Sequence, residues 1–96
     1  MIYLITWNFN RENPTRYEQK RKEMFNRISK LDNAYEGNLD TVCFLDSTSN
    51  HEELYSYFVT GLFDHADDRI FITHIPKDLY TGWMNKDVNS WLAARS

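Results

Sequence analysis

Residues 1–10 read Met1-Ile2-Tyr3-Leu4-Ile5-Thr6-Trp7-Asn8-Phe9-Asn10. Side chains alternate along a strand, so Ile2 and Leu4 share one face while Tyr3, Ile5, Trp7 and Phe9 share the other. Both sets are apolar. A strand that is apolar on both faces is central in its sheet and covered on both sides. The stretch turns polar at Asn8 and Asn10 and runs into a loop. The rest of the chain is therefore read for what covers this strand.

Outward from it, Arg11-Glu12-Asn13-Pro14 is a loop, with Asn13 placed to cap a helix and Pro14 at its first position. Tyr17, Met24, Ile28 and Leu31 recur at helical spacing with Phe25 on the flank, which predicts a first helix from Pro14 to Leu31. Arg21 can lay its stem along that apolar stripe. Asp32-Asn33 end the helix, residues 34–36 form a short strand, and Gly37-Asn38 turn or bulge. Leu39 to Asp46 is the next strand, with Val42 and Phe44 opposing Cys43 and Leu45. Ser49 with Glu52 reads as a capping box for a second helix over residues 50–63, whose inner stripe is Leu54, Tyr55, Phe58 and Leu62. An acidic turn leads to a fourth strand, Arg69 to Ile75, in which Ile70 and Ile72 oppose Phe71, Thr73 and Ile75 before Pro76 stops it. Thr81-Gly82 is a turn, and Asn85 caps a last short helix carrying Val88, Trp91 and Leu92.

The order strand, helix, two strands, helix, strand predicts an α+β fold of ferredoxin-like βαββαβ type. It has a four-stranded antiparallel sheet, two helices on one face by right-handed crossovers, and a C-terminal helical extension over residues 76–96. The 96 residues make one domain. Two helices hide only one face of the sheet. Trp83, Met84 and Trp91 are expected to cover part of the other face, and a second copy the rest, giving a homodimer.

Composition narrows the class. The chain is 42% hydrophobic and 16% aromatic, which is globular rather than disordered. One cysteine excludes an internal disulfide and suggests a reducing, cytoplasmic setting. No apolar run approaches the roughly 20 residues that span a bilayer, and Met1 leads directly into a strand with no leader pattern. The net charge of −3 hides an asymmetry: residues 11–30 carry seven Lys/Arg and three Asp/Glu, whereas residues 31–68 carry nine Asp/Glu and no Lys or Arg. The basic helix, with Arg16, Lys20, Arg21, Lys22, Arg27 and Lys30, is the nucleic-acid candidate; with no aromatics interleaved on its outer face it would touch phosphates rather than read bases.

The order MIYLITWNFN, basic helix, LDTVCFLDSTSN, acidic-capped helix, DDRIFITHI resembles the CRISPR-associated ferredoxin-fold adaptor family, the small subunit of the spacer-integration complex. It is more similar to the solitary SinR-like relatives and more distantly similar to VapD-like toxins. The resemblance rests on the third strand Leu39-Asp40-Thr41-Val42-Cys43-Phe44-Leu45, the entry Asp67-Asp68-Arg69 into Ile70-Phe71-Ile72, and the later Gly82-Trp83 and Trp91-Leu92. It implies a homodimer packed sheet to sheet and association with nucleic acid. In some members it also implies a metal-dependent nuclease that uses an acidic residue at the end of the first strand. The matching position is Asn8. A neutral amide is a poor ligand for Mg²⁺, which prefers carboxylates and water. The expectation is a scaffold without nuclease activity, metal or cofactor, binding nucleic acid or a protein partner. The alternative is a toxin-type ribonuclease that uses other carboxylates with Mg²⁺.

Tyr3, Ile5, Trp7 and Phe9 are expected in the core or at the dimer interface. The base-stacking sheet of RNA-recognition domains needs a basic-aromatic octamer on the third strand, which LDTVCFLD lacks. Asp46, at the end of the third strand, is read as able to approach Asn8, though a polar strand end is the simpler account. Cys43 is expected to be a buried structural thiol. His51, His65 and His74 have no metal-ligand spacing and receive no catalytic role.

Overall fold

The computed structural model describes residues 1–77 and 79–95. Strand β1 spans Ile2–Asn8 and β3 spans Val42–Asp46, paired antiparallel from Ile2 opposite Asp46 to Thr6 opposite Val42. On its other side β1 pairs antiparallel with β4, Arg69–Ile75, from Ile2 opposite Ile75 to Asn8 opposite Arg69. Strand β2, Asp32–Glu36, adds outside β3, so the sheet order is β2-β3-β1-β4. The first strand is thus one of the two central ones. This antiparallel α+β sheet with three helices is consistent with the ferredoxin-like expectation.

Helix α1 runs Pro14–Ser29, with the Asn13 side chain accepting from the Arg16 N–H and Pro14 in the first turn. It ends two residues before the expected Leu31, because Asp32 and Asn33 already belong to β2. A short 3₁₀ turn over Gly37–Leu39 falls where Gly37-Asn38 were expected to turn and also takes Leu39, so β3 starts at Val42 rather than Leu39. Helix α2 runs His51–Val59. Its capping box is Asn50 with Glu53, one residue on from the expected Ser49 and Glu52. It stops at Val59 rather than Phe63, and Gly61 just beyond takes φ +73, where glycine is favoured. Leu54 and Phe58 face inward as expected, while Tyr55, expected on the inner stripe, is exposed.

Helices α1 and α2 cover one face. Met24 and Ile28 from α1 and Leu54 and Phe58 from α2 pack on Tyr3, Ile5, Trp7, Phe9, Cys43 and Leu45. Tyr3, Ile5, Trp7 and Phe9, expected in the core or at a dimer interface, are therefore core. They are sealed beneath the chain's own helices and keep almost no surface for a second copy.

Helix α3, Lys86–Ala93, covers part of the other face: Val88 and Leu92 sit on Ile2, Ala34 and Phe44, with Met84 and Trp91 beside them. Burying two such side chains contributes about 1.5–3 kcal/mol each. Polar anchors fix the helix in place. The Asn85 backbone N–H and side-chain amide donate to the buried Glu36 carboxylate at 2.6 and 2.8 Å. At the far end, Arg95 donates to Asp32 at 2.6 Å and Asp46 at 3.0 Å, and Trp91 Nε1 donates to Asp32 at 3.1 Å. The Arg95 guanidinium and the Trp91 indole hold the Asp32 carboxyl below its ordinary value. Trp83, expected to help cover this face, is exposed and takes no part in that cluster.

No helix among the described residues is long and apolar enough to cross a membrane.

Candidate functional site

β1 runs out at Asn8, α1 passes beside it, and the chain re-enters β3 through Asp40 and Thr41. Between them lies a cleft of about 180 Å³ lined by Asn8, Arg11, Tyr17, Arg21, Asp40 and Thr41, with Trp7, Phe9 and Phe25 also contributing. The Arg21 guanidinium lies over the Phe25 ring at 4.8 Å from its centroid, an i, i+4 contact on α1. Phe25 is itself clamped edge-on by Trp7 at 5.9 Å and Tyr35 at 4.9 Å. Arg11 lies over Tyr17, also at 4.8 Å. Stacking on a ring holds a guanidinium by its face and leaves its N–H edge for an anion.

The counter-ions decide which arginines remain available. The chain has six. Arg16 pairs with Asp68, Arg27 with Glu23, and Arg95 with Asp32 and Asp46. Arg69 donates to the carbonyls of His65, Ala66 and Asp68. Among the described residues, Arg11, Arg21 and Arg69 have no carboxylate within 4 Å; Arg69 is taken up by its carbonyls, and Arg11 and Arg21 both line this cleft.

Asp40 faces the same space from strained backbone. Its φ is 58 and its ψ −52, and the Thr41 N–H donates back across it to the Leu39 carbonyl at 2.6 Å. That is a three-residue γ-turn of the rare kind, a conformation costing on the order of 1–3 kcal/mol for a non-glycine residue. The Tyr35 hydroxyl donates to the Asp40 carbonyl and helps to hold the turn.

The expected basic surface divides in two. Arg16, Lys20 and Arg27 turn inward. Arg16 makes two hydrogen bonds, at 3.1 and 2.8 Å, to Asp68, whose side chain is wholly buried. Lys20 donates to the Leu62 carbonyl. Arg27 donates to the carbonyls of Tyr57, Phe58 and Thr60 at 3.2, 3.1 and 2.8 Å, closing the C-terminal end of α2. These three join α1 to its neighbours. Lys22 and Lys30 are exposed, and Arg21 reaches the cleft. Sequence reasoning left out Arg11, because the loop before α1 carries no periodic signal that would place it.

Asp68 organises the loops behind the cleft. It accepts from the backbone N–H groups of Asn10 at 3.0 Å and Asp64 at 2.9 Å as well as from Arg16. Burial pushes its carboxyl up, and the hydrogen bonds from Arg16, Asp64 and Asn10 together outweigh that, holding it below the ordinary aspartate value.

Asn8 is exposed at the cleft, but Asp46 does not approach it. Asp46 pairs with Ile2 at the opposite end of β1, where it meets the N-terminal ammonium at 3.3 Å. The antiparallel register places the two strand ends apart. Among the described residues no group of three or more His, Cys, Asp and Glu is arranged to hold a metal ion. His65 lies 3.5 Å from the Tyr55 hydroxyl, and His74 packs its ring on Tyr3 at 5.6 Å. Cys43 is buried, and burial pushes its thiol up to about 12, so it remains a neutral thiol near neutral pH.

No family model, curated protein or solved structure matches the chain.

Proposed function

We propose that this chain is a homodimeric, non-catalytic scaffold of ferredoxin-like topology, related to the CRISPR-associated adaptors, that holds nucleic acid by its phosphates at the Arg11–Arg21 cleft. One observation supports this reading above the others: two arginines without counter-ions, each laid on an aromatic ring, border one cleft. A planar guanidinium offers a forked pair of donors that matches a phosphate, and pre-stacking reduces the ordering needed on binding. Asn8 adds an amide at the same cleft, where a nuclease of this type would need a carboxylate. Lys22, exposed on α1, and Lys30, exposed just past its end, add positive charge to the same segment of the chain.

The test is fluorescence anisotropy with labelled duplex DNA and RNA over a range of salt. Each lost phosphate contact lowers the log–log salt slope by about 0.9 on duplex DNA. Arg11→Ala with Arg21→Ala should therefore flatten the slope by about 2 per copy. Lys20→Ala, which removes an inward-facing amine, should leave the slope unchanged. Binding that ignores the arginine pair refutes the cleft. Probe cleavage that requires Mg²⁺ refutes the non-catalytic part.

A further inference from the structure

The sheet face that carries α3 is only half covered. Beside the helix, between it and the β1–β4 half of the sheet, runs a groove of about 510 Å³. Leu4, Phe44, Ile75, Met84 and Leu92 make its apolar lining, and Tyr80 and Gly82 stand at the segment leading into α3. The volume falls in the range of roughly 300–1,000 Å³ typical of sites that enclose a drug-sized group. It has room for an indole ring together with a neighbouring side chain.

The same segment carries the most exposed aromatic residue of the described chain. Trp83 is 96% exposed although Gly82 and Met84 on either side of it line the groove. Leu79 at 76%, Phe71 at 63% and Tyr80 at 36% exposed lie on the same segment or the same sheet face. A tryptophan fully in water beside an apolar groove leaves two complementary surfaces unsatisfied on one molecule.

We propose that the groove is filled by Trp83 of a second copy, and that the exchange is reciprocal. A two-fold pair places the same residue in the same groove twice, which closes the assembly at two and leaves no free groove to propagate a chain. The area is sufficient. Aromatic side chains bury about 150–250 Å² each, so the exposed parts of Trp83, Phe71 and Tyr80, with the smaller Leu79 added, amount to roughly 500 Å² per copy. A pair thus hides about 1,000 Å² from them alone, the threshold for a specific interface, before the groove lining is added. An aromatic anchor seated in a partner's pocket is the usual form of an interface hot spot. This deepens the dimeric part of the function proposed above and is independent of its nucleic-acid part.

The test is sedimentation equilibrium of the full chain, unaltered, as Trp83→Ala, and as Ala93→Trp. Ala93 is an exposed α3 residue lining the groove, so the larger side chain blocks the groove while leaving Trp83 in place. The unaltered chain should be dimeric, and each variant should weaken dimerisation by about 30-fold or more. Far-ultraviolet circular dichroism verifies that the variants are folded. Independently of any variant's folding, the indole emission of the unaltered chain should shift to the blue as concentration rises through the dimerisation range. A monomer at every concentration overturns both this inference and the dimeric reading. A dimer that persists in either folded variant, or that forms with no change in indole emission, overturns the Trp83 exchange and leaves the dimeric reading standing. An apolar small molecule that co-purifies with the unaltered chain in native mass spectrometry, and is lost in Ala93→Trp, also overturns the exchange.

Discussion

Replacing Asp68 with alanine probes how the loops around the cleft are held. The substitution removes the acceptor for two Arg16 N–H groups, at 3.1 and 2.8 Å, and for the backbone N–H groups of Asn10 and Asp64, at 3.0 and 2.9 Å. Breaking a buried ion pair by removing one partner costs about 3–5 kcal/mol. Arg16 is 27% exposed and can turn partly to water, so the lower end, about 3 kcal/mol, applies. For a chain of this size that corresponds to a fall in melting temperature of about 12–24 °C. Urea denaturation at pH 7 reads the loss directly, with the slope unchanged because the surface exposed on unfolding is the same. The pH dependence is a second signature. The native Asp68 carboxyl lies below its unfolded value, so its contribution is fully present above the unfolded value of about 3.9 and disappears as pH falls through the native value. The stability gap between the unaltered chain and Asp68→Asn should be full at pH 7 and close progressively below about pH 4. The substitution also frees Asn10, the residue before Arg11, and so should weaken phosphate binding. A loss under about 1 kcal/mol at pH 7, the level of an exposed pair, would refute the buried four-bond arrangement.

Two further outcomes separate structural from binding roles. Arg27→Met removes the three carbonyl contacts that close α2 and should cost about 1–2 kcal/mol in urea denaturation while leaving the salt slope of nucleic-acid binding unchanged; a reduced slope would return Arg27 to the binding surface. Glu36→Ala deletes the buried acceptor of Asn85 at the start of α3, so limited proteolysis should cut within residues 79–85 markedly faster while the sheet stays folded; an unchanged rate would show that apolar packing alone seats the helix.

The central place of Met1–Asn10 was legible because both of its faces are apolar, and local chemistry placed the first and last helix starts at Asn13 and Asn85. Helix ends were less legible. Asp32 and Asn33 look like a helix stop, yet they pair with Asp46 and Leu45 across the sheet, and strand pairing is a long-range contact that no local signal announces. The capping box moved by one residue because Ser49-x-x-Glu52 and Asn50-x-x-Glu53 satisfy the same pattern. The cleft was half legible. Arg21 over Phe25 follows from helical spacing, whereas Arg11 and Asp40 come together from a loop and a γ-turn about thirty residues apart.

By itself the sequence determined the element order, the faces of the central strands, and the buried state of Cys43, because side-chain alternation and helical periodicity are local properties of the chain. The tertiary structure alone decided which cations are available. A lysine or arginine looks equally free in any helical pattern, and only the approach of Asp68, Leu62 and the end of α2 turns Arg16, Lys20 and Arg27 inward. It also decided that Tyr3, Ile5, Trp7 and Phe9 lie inside the chain while the opposite sheet face stays half open. Which face two helices cover depends on the handedness of the crossovers, and an alternating strand reads the same from either side.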